Sequence, residues 1–198
     1  CSLIHLCLDN DGNSFNTIDT IPFLKEVLCH YQVQISQNGS LSLLFINHKK
    51  NEAVLNFTEY KNNKWSIPKR LYGIIGNSIN FCTLVHLDKI NIMNLSKEGS
   101  FYFIEHVVIE PDGKMKSYKI HESDHKPTNF LLVEINGVLW SIWTEGKNVF
   151  SSSYSQQWSG PNKHYTELNN EITIYKYLSL SDKNNNIKCK YVLGTNPP

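Results

Sequence analysis

The sequence is short of cysteine, of net charge and of long apolar runs, and each shortage removes a class of protein. Its five cysteines, Cys1, Cys7, Cys29, Cys82 and Cys189, form no close pair. That spacing shows no zinc ribbon, no dithiol redox motif and no dense disulfide framework. They read instead as small apolar core residues. Lys and Arg number 19 against 18 Asp and Glu. A chain so near neutrality lacks the basic face that neutralises phosphates, so nucleic acid is not an expected partner. No apolar stretch approaches the roughly 20 residues that carry a helix across a bilayer. The chain opens on Cys1 rather than Met, with no charged-then-apolar leader. We therefore expect either a processed protein or a segment of a larger one.

What is present in quantity is short apolar or alternating runs broken by turn formers. Hydrophobic residues make up 40% and aromatics 12% of the chain, enough for a folded core. Strands are expected at 3–8, 31–35, 41–46, 53–60, 79–87, 90–95, 100–109 and 115–120. Others are expected at 129–135, 138–144, 148–154, 171–178 and 187–193. Asp11-Gly12, Asn38-Gly39, Glu98-Gly99, Asp112-Gly113, Asn136-Gly137 and Glu145-Gly146 lie between strands. Such pairs favour the positive φ values of tight hairpins. The one helical candidate is 22–30, which reads equally well as extended chain.

The strands recur in a larger unit. Residues 41–71 run strand, turn, strand, polar turn, then Trp65-Ser66-Ile67-Pro68; residues 129–161 repeat the order and end in Trp158-Ser159-Gly160-Pro161. The two tryptophans stand 93 residues apart, about twice a repeat of roughly 40–50 residues. The unit between them, 79–120, has similar strand spacing and no terminal Trp. Each unit is a meander that cannot cover both of its faces alone, so neighbours must stack. The Trp is expected between sheets, and the Pro is expected to end an outer strand where no ladder donor is needed.

On these two Trp-Ser-x-Pro units the chain resembles bacterial, clostridial-type β-propeller repeat proteins of the broad sialidase-like and lectin-like group. The resemblance implies an all-β propeller or partial propeller of about four antiparallel meander sheets, residues 1–198 forming one β-repeat domain. It also implies a place outside the cell or on a cell or spore surface. No complete Asp box is present, Asp9–Phe15 being a partial echo, so no catalytic residue is carried over.

Several constellations could carry chemistry. His121-Glu122-Ser123-Asp124-His125 fits the H-E-x-x-H pattern, in which a helix brings two imidazoles to one zinc. The residues before it alternate like a strand and Pro127 follows closely, so His121 and His125 stand as weak metal candidates and a polar loop is favoured. Asp9, Asp11 and Asn13 resemble the start of a calcium loop, but Gly12 and Thr20 do not fit it; calcium stays a weak expectation and a hairpin turn is favoured. Cys1 is a candidate N-terminal nucleophile, without support later in the chain. Trp140 and Trp143, three apart on a strand, face opposite sides. With Tyr154 and Trp158 they are the candidate rings for stacking on a sugar, although packing between sheets accounts for them as well.

The resulting expectation is a non-enzymatic binding or assembly module presenting loops to a glycan or protein partner. The alternatives are a hydrolase, by propeller glycosidase, zinc or N-terminal Cys chemistry, and a surface protein that self-assembles through strand edges, as a homo-oligomer or with flanking repeats.

Overall fold

A computed structural model describes residues 2–8, 15–22, 27–35, 40–49, 52–75, 80–167, 170–181 and 186–195. These residues are all-β, with every strand pairing antiparallel and no helix among them. The first sheet is the pair β1 (Ser2–Leu8) and β2 (Phe15–Pro22). The second runs β3 (Val27–Ile35), β4 (Leu41–Lys49) and β5 (Glu52–Lys61), and then β6 (Lys64–Trp65) and β7 (Lys69–Ile74) share the outer edge of β5. The third is the meander β8 (Asn80–His86), β9 (Lys89–Glu98), β10 (Phe101–Ile109) and β11 (Met115–Ser123). The fourth repeats the plan of the second: β12 (Phe130–Ile135), β13 (Val138–Glu145) and β14 (Asn148–Ser155), with β15 (Gln157–Trp158) and β16 (Asn162–His164) sharing the edge of β14. The pair β17 (Ile172–Ser181) and β18 (Asn186–Thr195) forms the fifth. Among the described residues no sheet closes on itself.

Local chemistry sets the hairpins. Asn136 and Gly137 join β12 to β13 with φ of 53° and 79°, the primed turn that matches strand twist. Leu87 and Asp88 do the same between β8 and β9 with φ of 51° and 58°, without a glycine and against the preference of a leucine. The helical candidate at 22–30 is extended wherever it is described: Pro22 ends β2 and β3 starts at Val27.

β4 and β9 carry apolar side chains on both of their faces because both faces of their sheets are covered. Leu43 and Phe45 of β4 pack with Ile21 and Trp65 on one side. Leu44 and Ile46 pack on the other with Phe81, Ile92, Val107 and Ile109 of the third sheet. In β9, Met93 and Leu95 turn from that cluster to meet Leu132, Leu139 and Trp143 of the fourth sheet. The first four sheets therefore stack face to face in chain order. Each fully buried Leu or Ile contributes about 1.5–3 kcal/mol to that stacking.

The first strands of successive sheets also lie side by side, β3 against β8 and β8 against β12. Gln32 and Gln34 tie the first pair. Gln32 Nε2 donates to Phe81 O at 2.8 Å, Thr83 N donates to Gln32 Oε1 at 2.9 Å, and Gln34 Nε2 donates to Thr83 O at 2.9 Å.

The prolines of the two Trp-Ser-x-Pro segments were expected to end an outer strand. They interrupt it instead: the edge resumes at Lys69 after Pro68 and at Asn162 after Pro161. The serine explains how the gap is closed. Ser66 N donates to Glu59 O at 2.8 Å, Ser66 Oγ accepts the Glu59 N–H at 3.1 Å, and Thr58 Oγ1 donates to Ser66 O at 2.6 Å. Ser159 repeats this set with Ser153 N and O at 3.0 and 2.8 Å and with Ser152 Oγ at 2.7 Å. The side chain thus supplies the partners that a broken ladder would leave unpaired.

Candidate functional site: a cleft between the second and third sheets

At two sheet interfaces an imidazole of the earlier sheet is enclosed by a Tyr–Trp pair of the later one. Tyr60 and Trp65 are cross-strand partners whose rings lie 5.4 Å apart at 52°. His5 of β1 packs edge-on against them at 5.0 and 5.8 Å. Tyr154 and Trp158 are partners in the same way, 5.4 Å apart at 54°. His106 of β10 packs on this pair at 5.9 and 5.1 Å. His106 is fully buried. Trp158 Nε1 donates to its Nδ1 at 3.1 Å, and its Nε2 lies 3.0 Å from Asn91 Oδ1. Burial pushes this imidazole down to about 4, so it is neutral at pH 7 and its Nε2 carries the proton.

The interface between the second and third sheets lacks such a plug. The cross-strand pair at the corresponding end of the third sheet is Ile109 and Met115, neither of which fills the space of a Tyr–Trp pair. A cleft of about 730 Å³ opens there, its walls including Glu59 and Lys61 of β5, Lys69 and Arg70 of β7, and Asp88 and Glu110. Phe57, Leu71, Ile90, Ile109 and Met115 form its apolar surface. Glu59 pairs with Lys61 at 2.8 Å, while Glu110 meets Lys89 at 3.1 Å and Lys116 at 3.8 Å. Three carboxylates and three cations therefore line one cleft over an apolar floor.

A buried polar seam lies beside it. Tyr72 Oη donates to Asn94 Oδ1 at 3.1 Å, and Asn94 Nδ2 and Ser96 Oγ donate to Glu105 Oε2 at 3.1 and 2.8 Å. Burial, and then the Glu105 carboxylate, hold the Tyr72 phenol well above its ordinary value. The phenol therefore stays protonated and works as a donor. Burial likewise pushes the Cys82 thiol up to about 12, which leaves it a poor nucleophile.

No protein-family model and no curated protein matches this chain. The site is therefore read from its own geometry.

The residues singled out in the sequence do not converge on one surface. Trp143 is fully buried, its ring stacked 5.6 Å from Phe150 and its Nε1 donating to Glu145 Oε1 at 3.3 Å. A sugar cannot reach it, so its candidacy as a stacking platform is corrected. Tyr154 and Trp158 are spent largely on His106. Trp140 is half-buried on the opposite face, across from Val133 and Ser153. The H-E-x-x-H segment sits on β11 and the bend after it rather than on a helix. His121 lies 5.0 Å from the Trp143 ring with Nε2 2.8 Å from Glu145 Oε1, whereas His125 is exposed and bonds Asp124 at 2.6 Å. The one-turn spacing that would bring both imidazoles to one zinc is lost with the helix. Asp9, Asp11 and Cys1 lie outside the described residues.

Sequence reasoning missed the cleft, and its signal was negative. The middle unit has no Trp-Ser-x-Pro, and the position that Trp fills elsewhere is held by Met115.

Proposed function

We propose that the chain is a non-enzymatic binding module on a partial β-propeller scaffold, and that it takes a neutral glycan in the cleft between its second and third sheets. The scaffold reading is supported by face-to-face stacking of successive meanders with their first strands side by side. The repeat reading is supported by the matching broken edges and serine bonds of the second and fourth sheets. The observation that carries the site is the replacement of a Tyr–Trp plug by Ile109 and Met115. Each hydroxyl of a sugar both donates and accepts, which suits a cleft lined by Lys61, Lys69 and Arg70 as donors and by Glu59, Asp88 and Glu110 as acceptors. Their balanced charge favours an uncharged ligand over an anionic or cationic one, and the apolar floor suits the C–H face of a pyranose.

Met115→Trp places an indole where Trp65 and Trp158 stand at the other two interfaces, and it tests this reading. On a glycan array the wild-type protein is expected to bind neutral oligosaccharides and the variant to lose that binding, with circular dichroism and melting temperature kept. An array blank at high protein concentration would overturn the glycan reading. Undiminished binding by Met115→Trp would remove the cleft as the site, and binding to protein ligands alone would favour a protein partner.

A further inference from the structure

Four carboxylates are half-buried among the described side chains: Glu59, Glu105, Glu110 and Glu145. Three of them are held by a basic partner, Glu59 by Lys61 at 2.8 Å, Glu110 by Lys89 at 3.1 Å and Glu145 by His121 at 2.8 Å. Glu105 pairs with no lysine, arginine or histidine among the described residues. Its cross-strand neighbour is Lys119. That ammonium lies instead 2.7 Å from Glu122 and 5.7 Å from the centre of the Phe103 ring. Taking a carboxylate partly out of water is costly unless hydrogen bonds or an opposite charge offset it. Asn94 Nδ2 and Ser96 Oγ supply two bonds, both to Oε2, and among the described residues Oε1 accepts none.

This carboxylate forms part of the wall of a cavity of about 280 Å³, together with Tyr72, Gly73, Asn94, Val107 and Met115. Lys116 also borders the cavity, but its ammonium lies 3.8 Å from Glu110 Oε1. The negative charge of Glu105 is felt across the cavity, since after burial it is the next cause that holds the Tyr72 phenol above its ordinary value. The Tyr72 proton goes to Asn94 Oδ1 at 3.1 Å, so the phenol oxygen keeps lone pairs for another donor. The cavity therefore combines one charged acceptor, one neutral acceptor and the apolar side chains of Val107 and Met115.

We propose that this cavity is a site for a primary ammonium group, with Glu105 Oε1 as its counter-ion. One N–H donates to that oxygen and a second to Tyr72 Oη, while the carbons next to the nitrogen lie against Val107 and Met115. The ammonium comes either from a free aliphatic amine or from an amino sugar whose ring sits in the adjoining cleft, because Met115 lines both spaces. Only the second source rests on the glycan reading above.

Nuclear magnetic resonance titration of the full chain tests the site, with n-butylammonium and n-butanol as one pair of probes and glucosamine and glucose as another. The expected result is that n-butylammonium shifts the amides of Asn94 and Glu105 and binds roughly tenfold or more tightly than n-butanol, the range of one charge-assisted hydrogen bond. Glu105→Gln keeps the shape, loses the charge and should abolish that preference. Equal binding of the two butyl probes by the wild type would overturn the proposal, whether or not the variant folds. A preference that persists in a folded Glu105→Gln would overturn it as well. Glucosamine bound more tightly than glucose, with the difference lost in Glu105→Gln, identifies an amino sugar as the source, and equal binding of the two sugars identifies a free amine. A blank glycan array does not touch the n-butylammonium result, so the two readings fail separately.

Discussion

Lowering the pH from 7 to 4 should destabilise this protein through one buried imidazole, by an amount that the structure sets. His106 is fully buried, accepts the Trp158 indole N–H at Nδ1, and is held down to about 4 by burial. In the unfolded chain the same group titrates near 6.5. The folded value is the lower one, so the unfolded state takes up its proton first as pH falls. The contribution is fully present above pH 6.5, declines between 6.5 and 4, and levels off below that. A gap of about 2.5 pH units corresponds to roughly 3 kcal/mol. The loss is steep because protonated Nδ1 becomes a donor facing another donor, the Trp158 N–H. Carboxylates also titrate in this range, so the measurement is a difference. Urea unfolding of the wild type and of His106→Gln, from pH 7.5 to 3.5, should give stability curves that converge by roughly 2–3 kcal/mol towards acid. Parallel curves would refute a neutral, buried His106 as the acid-sensitive group.

Other expectations follow from single contacts. Ser66→Ala and Ser159→Ala each remove the hydroxyl that closes a broken edge, and each should cost about 1–2 kcal/mol in urea unfolding. Because they sit on different sheets, their effects should add to within about 0.5 kcal/mol, and strong coupling would contradict two independent closures. Trp143→Ala removes a fully buried indole from the third–fourth interface and should cost roughly 3–5 kcal/mol; a loss below about 1 kcal/mol would mean that the ring is not packed as described. Leu87→Asn relieves an exposed leucine held at φ 51° and should stabilise the protein by up to about 1 kcal/mol. A lower melting temperature for this variant would show that Leu87 has a packing role.

The sequence by itself determined the all-β character, most of the strands and the tight turns at Gly99, Gly113, Gly137 and Gly146, because these depend on neighbours a few residues away. Asn136-Gly137 announces a primed hairpin through φ alone, and the run from Leu41 to Ile46 announces a strand covered on both faces. β2 was missed because Phe15–Pro22 has neither strong alternation nor an apolar run, and its partner β1 fixes it as a strand. The turn at Leu87-Asp88 was missed because leucine does not favour positive φ and no glycine follows it; the β8–β9 register imposes it. Pro68 and Pro161 were read as strand ends, which is all that a missing N–H conveys locally. Only the pairing of Ser66 and Ser159 with strands seven or so residues back shows that the edge continues. The site depended on tertiary structure altogether. Trp143 and Trp140 look alike in sequence, yet the stacking of the third sheet on the fourth buries one and leaves the other on the far face. The cleft is a comparison between interfaces. Met115 and Ile109 matter only because Trp65 with Tyr60, and Trp158 with Tyr154, fill the same place elsewhere, and no local property of a methionine conveys that.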